Sequence, residues 1–399
     1  MHFHILGLGP VGSLIAHNLR RTLPKAVPIA LIVKDYQQAF SRSHTISVER
    51  DGVITTSTGY NMEVFDSKVH GRAPLAEYRL AKKTPGVSNE EGGQISSLIV
   101  TAKAFQTLPA IQQLQHRLTP YSTVVLLQNG MGIYEELLAK VFRNPELRPH
   151  FIFASNDNGA YAHDGRIVHS GRGSLKLGIA PDHMGRDFEH GEREKIPSRL
   201  ARGIVEEGDP ELPRYKSLRD TMMALTAMSE LNCNWYTISH MQMAMRRKVV
   251  VNAAINTLTA LMNCRNGDVF RQEVARELNA RICEEAAAGF AAQIKAQTSE
   301  YINNLAREGY DPESLDPGRI PEELKAASLV KEVERVAKVT ASNISSMLKH
   351  IHRGSPTEID YINGYLLQIG AEFNVPMPTI KTLYDLVKLR SAIPLDQML

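Results

Sequence analysis

A chain of 399 residues exceeds one ordinary hydrophobic core and points to two or three domains. Its 43% hydrophobic and 22% charged content, with a mean hydropathy of −0.23, is that of a soluble globular protein. A net charge of +3 gives no nucleic-acid footprint, and no apolar run approaches the roughly 18–20 residues that span a bilayer. Cys233, Cys264 and Cys283 have neither metal-ligand spacing nor the density of a disulfide framework, so a reducing compartment is expected and no metal.

In chain order, the segment from His2 to Leu6 reads as a buried strand running straight into a glycine turn, which leaves no room for a basic cleavable presequence. The cytosol is therefore expected ahead of the mitochondrion, with an internal or C-terminal address left open. Further strands are expected at 28–33, 97–101, 123–127 and 151–154, separated by helical patterns around 11–22, 104–117 and 132–141. Short β-rich runs alternating with amphipathic helices argue for a parallel sheet covered on both faces. Residues 165–169 and 173–178 read as a β extension, and the charged, Gly- and Pro-rich stretch 181–214 as an exposed insertion. From about residue 237 the pattern becomes helical, with segments at 240–262, 274–303, 321–352 and 358–373. The expected architecture is α/β: a dinucleotide-binding domain of Rossmann type over 1–236 and an all-helical domain over 237–399.

Gly7, Leu8, Gly9, Pro10, Val11 and Gly12 follow the first strand at once and open a helix, the context that makes a glycine pattern a dinucleotide fingerprint. The first glycine permits a tight turn and the second a close approach of backbone to pyrophosphate. The third allows close packing of helix on strand, and the helix N-terminus supplies N–H donors. The second strand ends at Lys34 and Asp35, the latter 23 residues past Gly12. A carboxylate there suits the ribose hydroxyl of NAD, a basic side chain the 2′-phosphate of NADP. Both are present and Arg42 is near, which tilts the expectation to NADP.

Lys248, Asn252 and Asn256 stand four apart in an otherwise apolar segment, so one helix stripe carries all three. An ammonium and two carboxamides make no metal site and no salt-bridge ladder; they suit an oxygen-rich small molecule. An ammonium beside a ketone stabilises and protonates the oxygen when hydride arrives. The plain alternative is an exposed basic cluster of Arg246, Arg247 and Lys248. Asn343 and Ser346, three apart in the expected helix, share a face and offer neutral donors, although a helical serine also bonds back to its own turn. Ser355, Pro356 and Glu358 spell a helix start, with Glu358 in a capping box. Asn129 and Lys103 follow strands, where open α/β sheets bind ligands; an ordinary Asn-Gly turn also accounts for Asn129.

At these positions the chain resembles ketopantoate reductase (2-dehydropantoate 2-reductase). The resemblance rests on Gly7–Gly12, 100–104, 128–132, 247–252, Ile255 and Asn256, 263–267, 343–347 and 357–364, in order over nearly the whole chain. The length and the charged insertion are similar to fungal members. The resemblance implies an NADP-binding Rossmann domain, a helical second domain and an active site in the cleft between them. It implies Lys248 as catalytic acid, Asn252, Asn256, Asn266, Ser346 and Asn343 as substrate ligands, and Glu358 at the active site near the cofactor. Lys34, Lys103, Asn129 and, by a looser match, Ala160 are then cofactor contacts.

The expected activity is NADPH-dependent reduction of 2-dehydropantoate to pantoate, on the route to pantothenate and coenzyme A. The expected partner is a small 2-keto acid, with a homodimer as an option and neither nucleic acid nor membrane. Two rivals stand beside this: a related reductase of another 2-keto acid, and a non-catalytic reductase-like scaffold that binds RNA or protein.

Overall fold

A computed structural model of the protein describes residues 1–33, 45–64, 87–88, 93–189, 203–307 and 320–393. Lys34, Asp35 and Arg42, the residues expected to select the cofactor's ribose end, lie outside the described residues. The chain divides into two compact units, Met1–Gln128 with Ile133–Met241, and Asn129–Gly132 with Gln242–Leu399.

The first unit is built on a nine-stranded sheet. Its order is Cys233–Trp235, Leu175–Ile179, His150–Asn156, Thr123–Leu126, Ser97–Val100, Phe3–Leu6, Ile29–Val33, Asn61–Val64 and Val87–Ser88. Pairing is parallel from His150–Asn156 to Val87–Ser88, while Leu175–Ile179 runs antiparallel to His150–Asn156. Every residue of Phe3–Leu6, Ile29–Val33, Ser97–Val100 and Thr123–Leu126 is buried. These strands are apolar apart from His4, Ser97 and Thr123, because helices cover parallel sheets on both faces. Strand order reverses between Phe3–Leu6 and Ser97–Val100, the switch point at which such sheets bind ligands.

A separate four-stranded sheet, not expected from the sequence, joins Gly159–His163, Arg166–Gly171, Ile46–Arg50 and Val53–Ser57. Residues 165–169 belong to it, whereas 173–178 joins the main sheet. Strands Ile46–Arg50 and Gly159–His163 pack on the helix Pro10–Thr22. His17 of that helix is the buried link, with Nδ1 2.8 Å from Ser57 Oγ and Nε2 3.0 Å from Thr55 Oγ1.

Most described residues of the stretch 181–214 are exposed or half-buried, but it is anchored at three points. Phe188, Ile204 and Val205 are buried in the first unit's core, and Tyr215 donates to the Asp182 carboxylate at 2.5 Å. Arg186 is held by Asp209 and Glu211 at 2.6 and 2.8 Å. Composition registered the charges, but three apolar residues anchor the stretch, and the helix Leu212–Thr226 already begins within it. Residues 190–202 lie outside the described residues.

The second unit is helical: Ile238–Met262, Asn266–Val269, Glu273–Arg307, Ala326–Val339, Ser346–His352, Asn363–Glu372 and Pro378–Ala392. The expected helix 321–352 is broken between 340 and 345. Ser345 stops a continuous helix by capping the next one, its hydroxyl accepting from the Leu348 N–H at 3.2 Å. No helix among the described residues is long and apolar enough to cross a membrane.

Candidate active site

The glycine turn lies at the carboxyl end of the central strand. Gly7 has φ of +99°, a conformation that favours glycine, and a Cβ there would meet the Ala102 backbone nitrogen at 2.5 Å. A Cβ on Gly12 would strike the Gly7 carbonyl and the Thr101 hydroxyl. Both glycines are therefore required by packing of the turn on residues 101–102, which the Thr101 N–H to Leu6 carbonyl bond at 2.8 Å holds in place. Gly9 differs: a Cβ on it would meet nothing within 4 Å. That open space borders the first turn of a helix with Pro10 at its start and no side-chain cap. Protein packing leaves Gly9 unexplained, while an approaching pyrophosphate held by the uncapped N–H groups explains it.

The other expected cofactor residues are distributed as follows. Leu8 is buried; Pro10 and Val11 are half-buried in the first turn. Lys103 stands at the N-cap position of the helix Ala104–Leu114, without a side-chain cap bond, three residues past the strand that pairs with Phe3–Leu6. Ala160 sits in the four-stranded sheet beside a register shift, half-buried against the core. Asn129 belongs with the second unit. Its neighbour Met131 donates its N–H to the Tyr361 carbonyl at 2.9 Å, and a side chain on Gly130, at φ of +87°, would run into that carbonyl.

In the second unit, Lys248, Asn252 and Asn256 lie along the helix Ile238–Met262, as their spacing predicts. Val249, Val250, Ala253, Ala254 and Leu258 bury the rest of that segment in the core. Lys248 and Asn252 are half-buried and Asn256 is buried, which removes the exposed-cluster alternative for Lys248.

Hydrogen bonds bring the remaining candidates to the far end of this helix. Thr259 and Ser345 hydroxyls lie 2.7 Å apart, so the turn carrying Ser346 is tied to the helix three residues past Asn256. The Asn266 N–H donates to the Asn343 carbonyl at 3.0 Å and the Gly267 N–H to the Ala341 carbonyl at 3.1 Å. Asn266 is buried, and its carboxamide nitrogen donates to Thr340 Oγ1 at 2.9 Å. Asn343 is exposed and outside any helix, so it shares no helical face with Ser346, which opens the helix Ser346–His352.

Glu358 does not form the expected capping box. A short 3₁₀ turn, Ile359–Tyr361, follows it, and its side chain makes no capping bond. It is 4% exposed, a depth at which carboxylates are rare. Its carbonyl accepts from the Tyr361 N–H at 3.1 Å, so Glu358 and Asn129 flank one tight junction through Tyr361. Thr340, Tyr361 and Gly130 hold these groups in place, and sequence reasoning gave none of them a site role. Gly130 was read as part of a turn with Asn129 and Tyr361 lay within the matched segment 357–364, while nothing pointed to Thr340. Burial pushes the thiols of Cys233 and Cys283 up to about 12, so neither is a nucleophile at neutral pH.

A glycine-cradled switch point in one unit and a lysine–carboxamide helix in the other define a dinucleotide-dependent oxidoreductase acting on a polar small molecule. Residues 3–182 match the family model described as Ketopantoate reductase PanE/ApbA, and residues 240–391 its C-terminal counterpart. The 2-dehydropantoate 2-reductase of Salmonella typhi is 30% identical over 74% of this chain and 74% of its own length. That of Saccharomyces cerevisiae is 25% identical over 98% of this chain and 94% of its own. A crystal structure of a ketopantoate reductase from Ralstonia eutropha superposes with a TM-score of 0.63 at 18% identity, covering 98% of each chain, a likeness of fold. The chain belongs to the ketopantoate reductase family.

Proposed function

We propose that this protein reduces the 2-keto group of 2-dehydropantoate to pantoate, with NADPH as reductant. The observation that carries the reading is the half-buried Lys248 at the head of a carboxamide stripe, on a helix that Thr259 ties to Ser345, next to Ser346, while Asn266 is bonded to Asn343 of the same turn. The turn Gly7–Gly12 fits a dinucleotide by the space at Gly9, and Lys103 and Asn129 would hold it further along. When bound, the nicotinamide supplies hydride to the ketone carbon. Lys248 places its ammonium at the keto oxygen, stabilises the charge that develops there and gives up the proton. Asn252, Asn256 and Ser346 offer neutral hydrogen bonds to the carboxylate and hydroxyl ends and so fix the ketone against the ammonium. Glu358 contributes a buried carboxylate that orients the ammonium. NADPH over NADH is favoured by Lys34 and Arg42.

The test follows NADPH and NADH oxidation with 2-dehydropantoate, alongside other 2-keto acids. Lys248→Ala is expected to lower kcat by roughly 10²–10⁴, the range of a general acid, while thermal stabilisation by NADPH persists. A Lys248→Ala enzyme turning over like wild type removes this mechanism.

A further inference from the structure

Asn266 carries a buried acceptor that none of the described residues uses. The residue is 7% exposed, and its Oδ1 has no hydrogen-bond partner among the described residues. The orientation of the carboxamide follows from Thr340. The Thr340 hydroxyl donates to the Val336 carbonyl at 2.7 Å, one turn back in its own helix. With that proton committed, Thr340 Oγ1 can only accept, and it accepts from Asn266 Nδ2 at 2.9 Å. Turning the amide over would keep one of these two hydrogen bonds, so Thr340 selects the orientation that leaves Oδ1 as the buried, unused acceptor. An acceptor left unmade in a buried site is costly, which makes a donor from the ligand worth more there than on an open surface.

Deepening the reading given above, and resting on it, we propose that Thr340 is a positioning and specificity residue. It holds Asn266 as a hydrogen-bond acceptor for a substrate hydroxyl. A carboxylate end has no proton to offer and is excluded from this spot, so the acidic end of the substrate turns to the donors of Ser346 and the stripe asparagines. The site thus selects 2-keto acids that carry a hydroxyl group besides the ketone. 2-Dehydropantoate does; 3,3-dimethyl-2-oxobutanoate has the same carbon skeleton around the ketone but lacks the hydroxyl.

The test compares kcat/KM for that pair, and for 4-hydroxy-2-oxobutanoate against 2-oxobutanoate, in wild type, Thr340→Val and Thr340→Ser. Wild type is expected to prefer the hydroxylated member by roughly 10–100-fold, the worth of one buried hydrogen bond. Thr340→Val keeps the shape and loses the acceptor. It should bring the ratio within a few-fold of one by raising KM for the hydroxylated member alone, leaving the deoxy substrate and NADPH unaffected. Thr340→Ser should keep the wild-type ratio, which a purely structural role for the threonine would not require. A Thr340→Val enzyme that keeps the wild-type ratio overturns the proposal, as does a wild type without hydroxyl preference; the wild-type ratio decides if the valine variant fails to fold. A wild type inactive on 2-dehydropantoate but preferring the hydroxylated member of the other pair sinks the assigned substrate and leaves this inference standing. No reduction of any of the four acids sinks both.

Discussion

His17 makes the fold of the first unit acid-labile in a defined window. It is 2% exposed, and burial is the main reason its imidazole falls from 6.5 to about 4, with Arg21 adding to the drop and the Ile46 carbonyl opposing it. The folded chain thus keeps His17 neutral while the unfolded chain takes up a proton below 6.5. The stabilising contribution is complete above 6.5, shrinks as pH falls toward about 4, and is then constant. At about 1.4 kcal/mol per pH unit, that gap amounts to roughly 3 kcal/mol, a large part of the 5–15 kcal/mol typical of a domain. The comparison is wild type against His17→Gln, which hydrogen-bonds but does not titrate, by urea unfolding from pH 7.5 to 4. At pH 7.5 the variant should be less stable by about 1–2 kcal/mol for weakened bonds to Ser57 and Thr55. Toward pH 4 the order should invert, because only wild type carries the proton penalty. His150, also depressed to about 4 chiefly by burial, is common to both proteins and cancels in the difference. Stability curves that stay parallel through the window would refute the argument.

Two glycines of the turn should part company on substitution. Gly12→Ala drives a methyl group into the Gly7 carbonyl and should cost about 1–3 kcal/mol by thermal melting. Gly9→Ala has open space, so it should melt like wild type yet bind NADPH at least several-fold more weakly; unchanged affinity would remove the pyrophosphate from Gly9. Beside the strand Asn61–Val64, Arg117 donates to both Glu63 carboxylate oxygens at 2.9 and 3.3 Å. Although burial pushes the Glu63 carboxyl upward, His4 and Arg117 together bring it down to about 2. Arg117→Met leaves that buried carboxylate with His4 alone of these two partners and should cost about 3–5 kcal/mol by chemical denaturation. Adding Glu63→Gln should recover part of it, and a single variant costing under about 1 kcal/mol would contradict the pairing. This carboxylate's stabilisation is present above 4.5 and lost as pH falls toward about 2, below the histidine window.

Local pattern was enough wherever an element's own residues carry its fate. The buried runs Phe3–Leu6 and Ile29–Val33, the glycine turn and the helix bearing Lys248, Asn252 and Asn256 all stand where periodicity and spacing put them. Apolar runs and a four-residue step need no partner to be read. What the sequence left out depends on residues far apart in the chain. Ser345 breaks the expected helix because its hydroxyl meets both Leu348 and, 86 positions away, Thr259. Residues 181–214 look solvated by composition, yet Phe188, Ile204 and Val205 find the core. The orientation of Asn266 is set by Thr340, 74 positions on. Chemistry-bearing residue types are written in order along the chain, but which atom of each is free to meet a ligand is decided by hydrogen bonds that only folding closes.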